Sequence, residues 1–180
     1  REGKLIAAFY ADLYAREGKR SGAWMDGERT RRRLPDGKLV TPVAYLVTNF
    51  AAPVEGREAT MTHDEVTTLF HEFGHTLHHI LTAQEEAQVS GINGVEWDAV
   101  ELPSQFLENF AWEHDVVKAI SRHADTGESL PDELFKKLIA AKNFEAGAFC
   151  VRQVEFALFD MLLHAEFNPK TDSVPALLDA

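Results

Sequence analysis

The chain has 180 residues, 45% of them hydrophobic and 26% charged, with a formal net charge of −11. These proportions describe an ordinary globular chain of one domain, long enough to bury roughly 70% of its unfolded surface. The acidity argues against nucleic acid as the main partner, the lack of any run of eighteen apolar residues against a membrane span, and the lone Cys150 excludes an internal disulfide.

Residues 5–14 concentrate aromatic and aliphatic side chains and read as a strand, with helix as a rival because alanine is frequent there. Gly18-Lys19-Arg20-Ser21-Gly22-Ala23-Trp24-Met25-Asp26-Gly27 reads as a loop, and its Gly-Lys pair lacks the glycine spacing of a phosphate loop. Arg29 and Arg31-Arg32-Arg33 read as a solvated strand face. Leu34-Pro35-Asp36-Gly37-Lys38 is a turn, since proline presets its own φ and glycine accepts a positive one. Val43-Ala44-Tyr45-Leu46-Val47-Thr48-Asn49-Phe50 has strong β propensity. A hairpin is expected, joined by the first strand into a small N-terminal sheet within residues 1–52. Residues 44–50 are either an interior strand or an edge that could align an extended peptide through main-chain hydrogen bonds. Residues 53–60 form a polar connector.

Thr62 followed by Glu65 is a capping box, and it opens a helix predicted over residues 62–82. Val66, Leu69, Phe70, Phe73, Leu77, Ile80 and Leu81 supply its apolar face. Within it lies Phe70-His71-Glu72-Phe73-Gly74-His75, an H-E-x-x-H pattern. His71 and His75 stand one above the other, offset by roughly 40°, so both imidazoles can reach one metal ion at about 2.1 Å. Glu72 flanks that stripe and can take a proton from a water that the metal activates. His78 shares the face and reads as a neighbour of the site or a pocket wall, while His79 points elsewhere and is expected in solvent.

A catalytic zinc wants a third protein ligand and one open position. Glu101 is the best candidate, 25 residues after His75. It follows a flexible loop, Ser90-Gly91-Ile92-Asn93-Gly94-Val95, and stands at the start of another helical pattern. Zinc-bound histidines usually donate their second N–H to a carboxylate, for which Asp98, Asp64, Glu65 and Glu108 are all candidates. Pro103 is predicted to begin a long helix running to about Arg122. Gly127 and Pro131 mark a break, and helix resumes from Leu134 to Phe167 with an interruption near residues 143–147. Cys150 falls in an apolar pattern and reads as an inert buried thiol. Residues after Lys170 have few partners and are expected to be mobile.

Phe70-His71-Glu72-Phe73-Gly74-His75-Thr76-Leu77-His78, then Ser90-Gly91, then Asp98-Ala99-Val100-Glu101-Leu102-Pro103-Ser104-Gln105-Phe106-Leu107-Glu108-Asn109 resemble the thimet oligopeptidase family of zinc metallopeptidases, its bacterial members above all. The resemblance runs from Phe9-Tyr10-Ala11-Asp12-Leu13-Tyr14-Ala15-Arg16 to His164-Ala165-Glu166-Phe167. It implies an α+β, predominantly helical, zincin-like core: the small sheet of 1–52, zinc-site helices over 61–122 and packing helices over 131–168. It also implies one Zn2+ per chain held by His71, His75 and Glu101, with Glu72 as general base. The implied function is a cytoplasmic endopeptidase acting on short peptides, with neither nucleic acid nor membrane as a partner. Family members are longer, and a downstream glycine-rich segment carries tyrosines and a histidine that contact substrate. Here Tyr10, Tyr14 and Tyr45 all precede the motif, and the chain opens at Arg1. Residues 1–180 are therefore expected to be a catalytic-domain fragment whose active site is completed by upstream and downstream segments. The alternatives are a zinc-binding structural fragment without turnover and a peptide-binding module that uses the sheet edge.

Overall fold

The computed structural model describes residues 3–178 except 55 and 57. In chain order the elements are β1 (Ala8–Tyr14), β2 (Trp24–Arg29), β3 (Arg32–Arg33), β4 (Leu39–Val40), β5 (Val43–Phe50), α1 (His63–Ile80), α2 (Leu102–Glu108), α3 (His114–Ile120), α4 (Asp132–Asn143), α5 (Ala146–Ala165) and α6 (Val174–Leu178). A small N-terminal sheet followed by helices makes the class α+β. The chain forms two compact units, residues 1–129 and 130–180.

The sheet has the order β1-β5-β2, with β1 parallel and β2 antiparallel to β5. β5 is thus the central strand, and residues 44–50 cannot serve as an edge for a peptide. β2 corrects the loop expected over residues 18–27. Three glycines and several charges disguise it, yet Trp24, Met25, Asp26 and Gly27 pair with Val47, Leu46, Tyr45 and Ala44. The turn at residues 34–38 forms as expected, with Gly37 at φ 83 and its N–H bonded to Leu34 O at 2.8 Å. It joins β3 to β4 in a separate two-stranded ladder rather than leading into β5.

Phe9 pairs with Ala44 in the β1–β5 register, so both face one side of the sheet. That side carries α1, because the Phe9 and Phe73 rings lie 5.6 Å apart. Ala44, Leu46, Thr48 and Phe50 share the face and are buried, which is the period-two burial of a sheet under a helix. The Thr48 hydroxyl satisfies itself on Leu13 O at 2.7 Å. Tyr10 and Tyr45 pair on the opposite face at 5.6 Å.

α1 begins where the capping box places it. Thr62 accepts from the Glu65 N–H, and the Glu65 carboxylate accepts from the Thr62 N–H at 2.7 Å. The long helix expected over 103–122 is instead α2, a 3-10 turn at Asn109–Trp112, and α3. Asn109 turns its amide back onto the Gln105 and Phe106 carbonyls at 3.2 and 3.0 Å, and Glu113 is extended at ψ 130. The carbonyl of Ala111 bonds His63 Nε2 at 2.8 Å, and the His63 and Trp112 rings lie 4.1 Å apart. Tertiary bonds to the first turn of α1 therefore replace helical ones.

In the second unit, α4 and α5 are separated at Phe144, which is extended, and Glu145, at φ 55, within the interruption expected near 143–147. No described residue of α5 is buried, so Cys150 is exposed rather than an enclosed thiol. Residues expected to be mobile after Lys170 include the helix α6. The connector 53–60 and the chain end include positions 55, 57, 179 and 180, where those expectations lie outside the described residues.

Candidate metal centre

α1 supplies the histidine stripe, and α2 crosses it at Gly74. A Cβ on Gly74 would lie 2.6 Å from Ser104 Cα and 2.7 Å from Pro103 O, so only glycine permits this approach of the two backbones. Glu101 is the N-cap residue of α2 and is carried by the crossing to the histidines. Its Oε2 lies 3.1 Å from His71 Nε2 and 3.2 Å from His75 Nε2. One atom from each of the three side chains lies within 4.8 Å of the other two, a group that could hold a metal ion.

The donor set fits zinc. Two neutral imidazole nitrogens and one carboxylate oxygen are ordinary zinc ligands, and tetrahedral bonds of about 2.1 Å place neighbouring ligand atoms roughly 3.4 Å apart. The two nitrogen–oxygen separations here are within 0.3 Å of that value. Of the four carboxylates considered for the outer position, Glu108 takes it: its Oε1 lies 2.6 Å from His71 Nδ1. Accepting the Nδ1–H leaves the Nε2 lone pair aimed at the ligand cluster. Glu65 is committed to the helix cap.

Burial pulls the His75 imidazole below its ordinary pKa, although the Glu101 charge opposes this. The result favours the neutral form that binds a metal. Burial also raises the Glu101 carboxyl, but the Ser104 hydroxyl and the charges on His75 and His71 outweigh it and hold it below its ordinary value. Ser104 Oγ donates to Glu101 Oε2 at 2.9 Å.

Glu72 is 6% exposed, beside the two histidines on α1. Burial pushes its carboxyl up; His71 opposes that shift, the Glu101 charge adds to it, and a hydrogen bond from the Met25 N–H opposes it. Met25 belongs to β2, an edge strand of the sheet. His78 lines an apolar groove with Gly74, Leu77, Pro103 and Phe106. His79 corrects the solvent reading: it is 1% exposed.

Sequence reasoning missed Ser104, Met25 and the burial of His79. Ser104 stands one helical turn from Glu101 and could have been found by that spacing. Met25 lies 47 positions before Glu72, and only the sheet order brings the two together.

A sequence profile described as Peptidase family M3 matches residues 1–179. The chain belongs to this family. It is 61% identical over 167 residues to oligopeptidase A of Salmonella typhimurium, covering 93% of this chain and 25% of that protein. It is 49% identical over 171 residues to the organellar oligopeptidase A, chloroplastic/mitochondrial, of Arabidopsis thaliana, covering 93% and 22%. A thimet-like oligopeptidase of Dictyostelium discoideum is 40% identical over 164 residues, covering 90% and 24%. The resemblance read from the motif residues thus extends over most of the chain, which spans about a quarter of the length of the curated relatives it matches.

Proposed function

We propose that this chain carries the catalytic metal centre of a zinc-dependent endopeptidase for short peptides, built on a zincin-like core. His71, His75 and Glu101 hold one Zn2+, and Glu72 is the general base. The observation that carries this reading is the convergence of the three donor atoms within 4.8 Å beside a buried carboxylate on the same helix. When bound, zinc supplies a Lewis acid that activates water and polarises the scissile carbonyl.

The residues divide the remaining work. Glu108 fixes the tautomer and orientation of the His71 ring. Ser104 steadies the Glu101 carboxylate through its hydroxyl. Glu72 takes a proton from the attacking water and delivers it to the leaving amine. No covalent acyl-enzyme forms, because water is the nucleophile. β2 lies at an edge of the sheet, and α1 packs against it. The edge of β2, rather than residues 44–50, is therefore the strand that aligns an extended peptide beside the base.

Segments outside this chain complete the substrate channel, in keeping with relatives about four times its length. The cytoplasm is the proposed compartment, as in the name of a probable cytosolic oligopeptidase A of Arabidopsis thaliana, which is 47% identical over 171 residues. No described helix is long and apolar enough to cross a membrane.

The deciding comparison is parent against Glu72→Gln, each loaded with zinc, on a quenched fluorescent peptide. Zinc affinity is expected to persist while hydrolysis falls by about 10²-fold or more. Cleavage at the parental rate would remove Glu72 from the mechanism. A second reading, a zinc-holding fragment without significant turnover, is favoured by one observation: Tyr10 and Tyr45 pair on the sheet face away from α1. Missing transition-state donors are typically worth ~10²–10³ in rate. Tight zinc binding by a parent chain that cleaves no peptide would establish that second reading.

A further inference from the structure

Four residues beyond His75, His79 is enclosed almost completely, at 1% exposure. Both of its ring nitrogens address main chain. Nε2–H donates to Arg29 O at 3.1 Å, and Nδ1 faces the Ile92 N–H in a long contact of 3.5 Å. Arg29 ends β2, and Ile92 lies in the loop that leads towards Glu101. The ring therefore joins three segments: α1, the end of β2 and the 90–94 loop.

Two glycines make room for it. A Cβ on Gly27 would lie 2.8 Å from His79 Cε1, and one on Gly91 would lie 2.5 Å from Nδ1. Gly91 also has φ +67, a conformation suited to glycine. The pairing of β2 with β5 shifts register between Gly27 and Arg29, so the ladder is interrupted where the imidazole bonds the strand. A histidine that only filled space would not need a glycine on each side and a carbonyl at a register shift. The 84–93 segment has its own ties to the same stretch of chain. Glu85 bonds Arg31 and Arg33 at 3.0 and 2.6 Å, and Asn93 Nδ2 reaches Thr30 Oγ1 at 3.3 Å. Those bonds hold loop to strand, whereas His79 holds both to α1.

We propose that His79 is a positioning residue: it clamps β2 and the 90–94 loop onto α1 and so sets how the β2 edge lies along the helix that carries Glu72. Its importance for peptide hydrolysis rests on the function proposed above, but the clamp itself can be read without turnover. His79→Leu removes both ring bonds at similar volume. Gly27→Ala drives the ring out while leaving the imidazole in the chain. His79→Gln keeps a donor for Arg29 O.

The experiment is amide hydrogen exchange with zinc affinity measured in parallel. In His79→Leu and in Gly27→Ala, exchange at Met25 and Ile92 rises by roughly fivefold or more, as expected for the loss of one net hydrogen bond. Zinc affinity stays within about twofold, since the clamp does not touch the ligand set, and His79→Gln restores protection at Met25. Parental exchange at Met25 in a folded His79→Leu or Gly27→Ala protein overturns the proposal. So does faster exchange spread evenly over the unit, because that is the signature of a core residue alone. If neither variant folds, the imidazole nitrogen spectrum of the parent decides: a protected Nε2–H on His79 supports the clamp, and the Nδ1–H tautomer refutes it. A parent chain without peptidase activity would defeat the catalytic reading and leave the exchange result standing by itself.

Discussion

Replacing Gly74 by alanine tests whether the α1–α2 crossing, and not only the identity of the proposed ligands, makes the proposed metal centre. Gly74 lies inside α1, where alanine is the better helix former by about 1 kcal/mol. Local propensity therefore predicts a more stable protein. The crossing predicts the reverse. The new Cβ would stand 2.6 Å from Ser104 Cα and 2.7 Å from Pro103 O, and both atoms are main chain that cannot swing aside. Ordinary contact begins at 3.4 Å, so α2 must retreat by about 0.8 Å. Overpacking of this kind costs roughly 1–3 kcal/mol, which cancels or exceeds the propensity gain. The retreat carries Glu101 with it, because Glu101 caps α2 and is bonded to Ser104. Metal–ligand distances tolerate shifts of only about 0.2 Å. Zinc affinity should consequently fall ~10–100-fold, the range for disturbing a ligand's support. The assay is chelator competition for zinc, with urea unfolding of the metal-free proteins alongside. A variant that binds zinc as tightly as the parent, and unfolds later by about the 1 kcal/mol that propensity supplies, would refute the reasoning.

Two further substitutions separate the supports of the site. Glu108→Gln leaves the His71 ring without its charged acceptor and should weaken zinc binding ~10–100-fold without changing the fold; competition titration and circular dichroism read both, and unchanged affinity would show that Glu108 does not orient the ligand. Thr62→Ala removes the cap of α1 and should lower stability by about 1 kcal/mol, seen as an earlier urea midpoint at unchanged slope. A midpoint equal to the parent's would mean that packing alone holds the first turn.

The elements that could be read along the chain are those made by neighbours. The capping box at Thr62 and Glu65, the histidine stripe, the turn at Gly37 and the break at Glu145 depend on residues within about five positions, and each lies where the spacing put it. Glu101 was legible as a partner of the histidines through the residues around it, 98–109, which carry the family resemblance; the structure brings its Oε2 to 3.1 and 3.2 Å from their nitrogens. The same local habit misread residues 18–27. Glycines and charges mark a loop by composition, yet Gly27 is in a strand paired with Ala44, and its missing side chain leaves room for the imidazole of His79.

What the tertiary structure decided is which distant main-chain groups meet. A central strand and an edge strand can have the same propensity, and β5 became central only when β1 and β2 took its two sides. Sequence left four carboxylates equal as partners for His71, and the path of α2 selected Glu108. His79 looked solvent-facing from helical phase alone, but burial depends on what packs over a face, and β2 and the 90–94 loop close over this one. Short-range hydrogen bonding is set by residue order and gave the sequence its authority over α1. Pairing across the sheet and burial of a side chain depend on chain segments tens of residues apart, and those are fixed only when the whole unit packs.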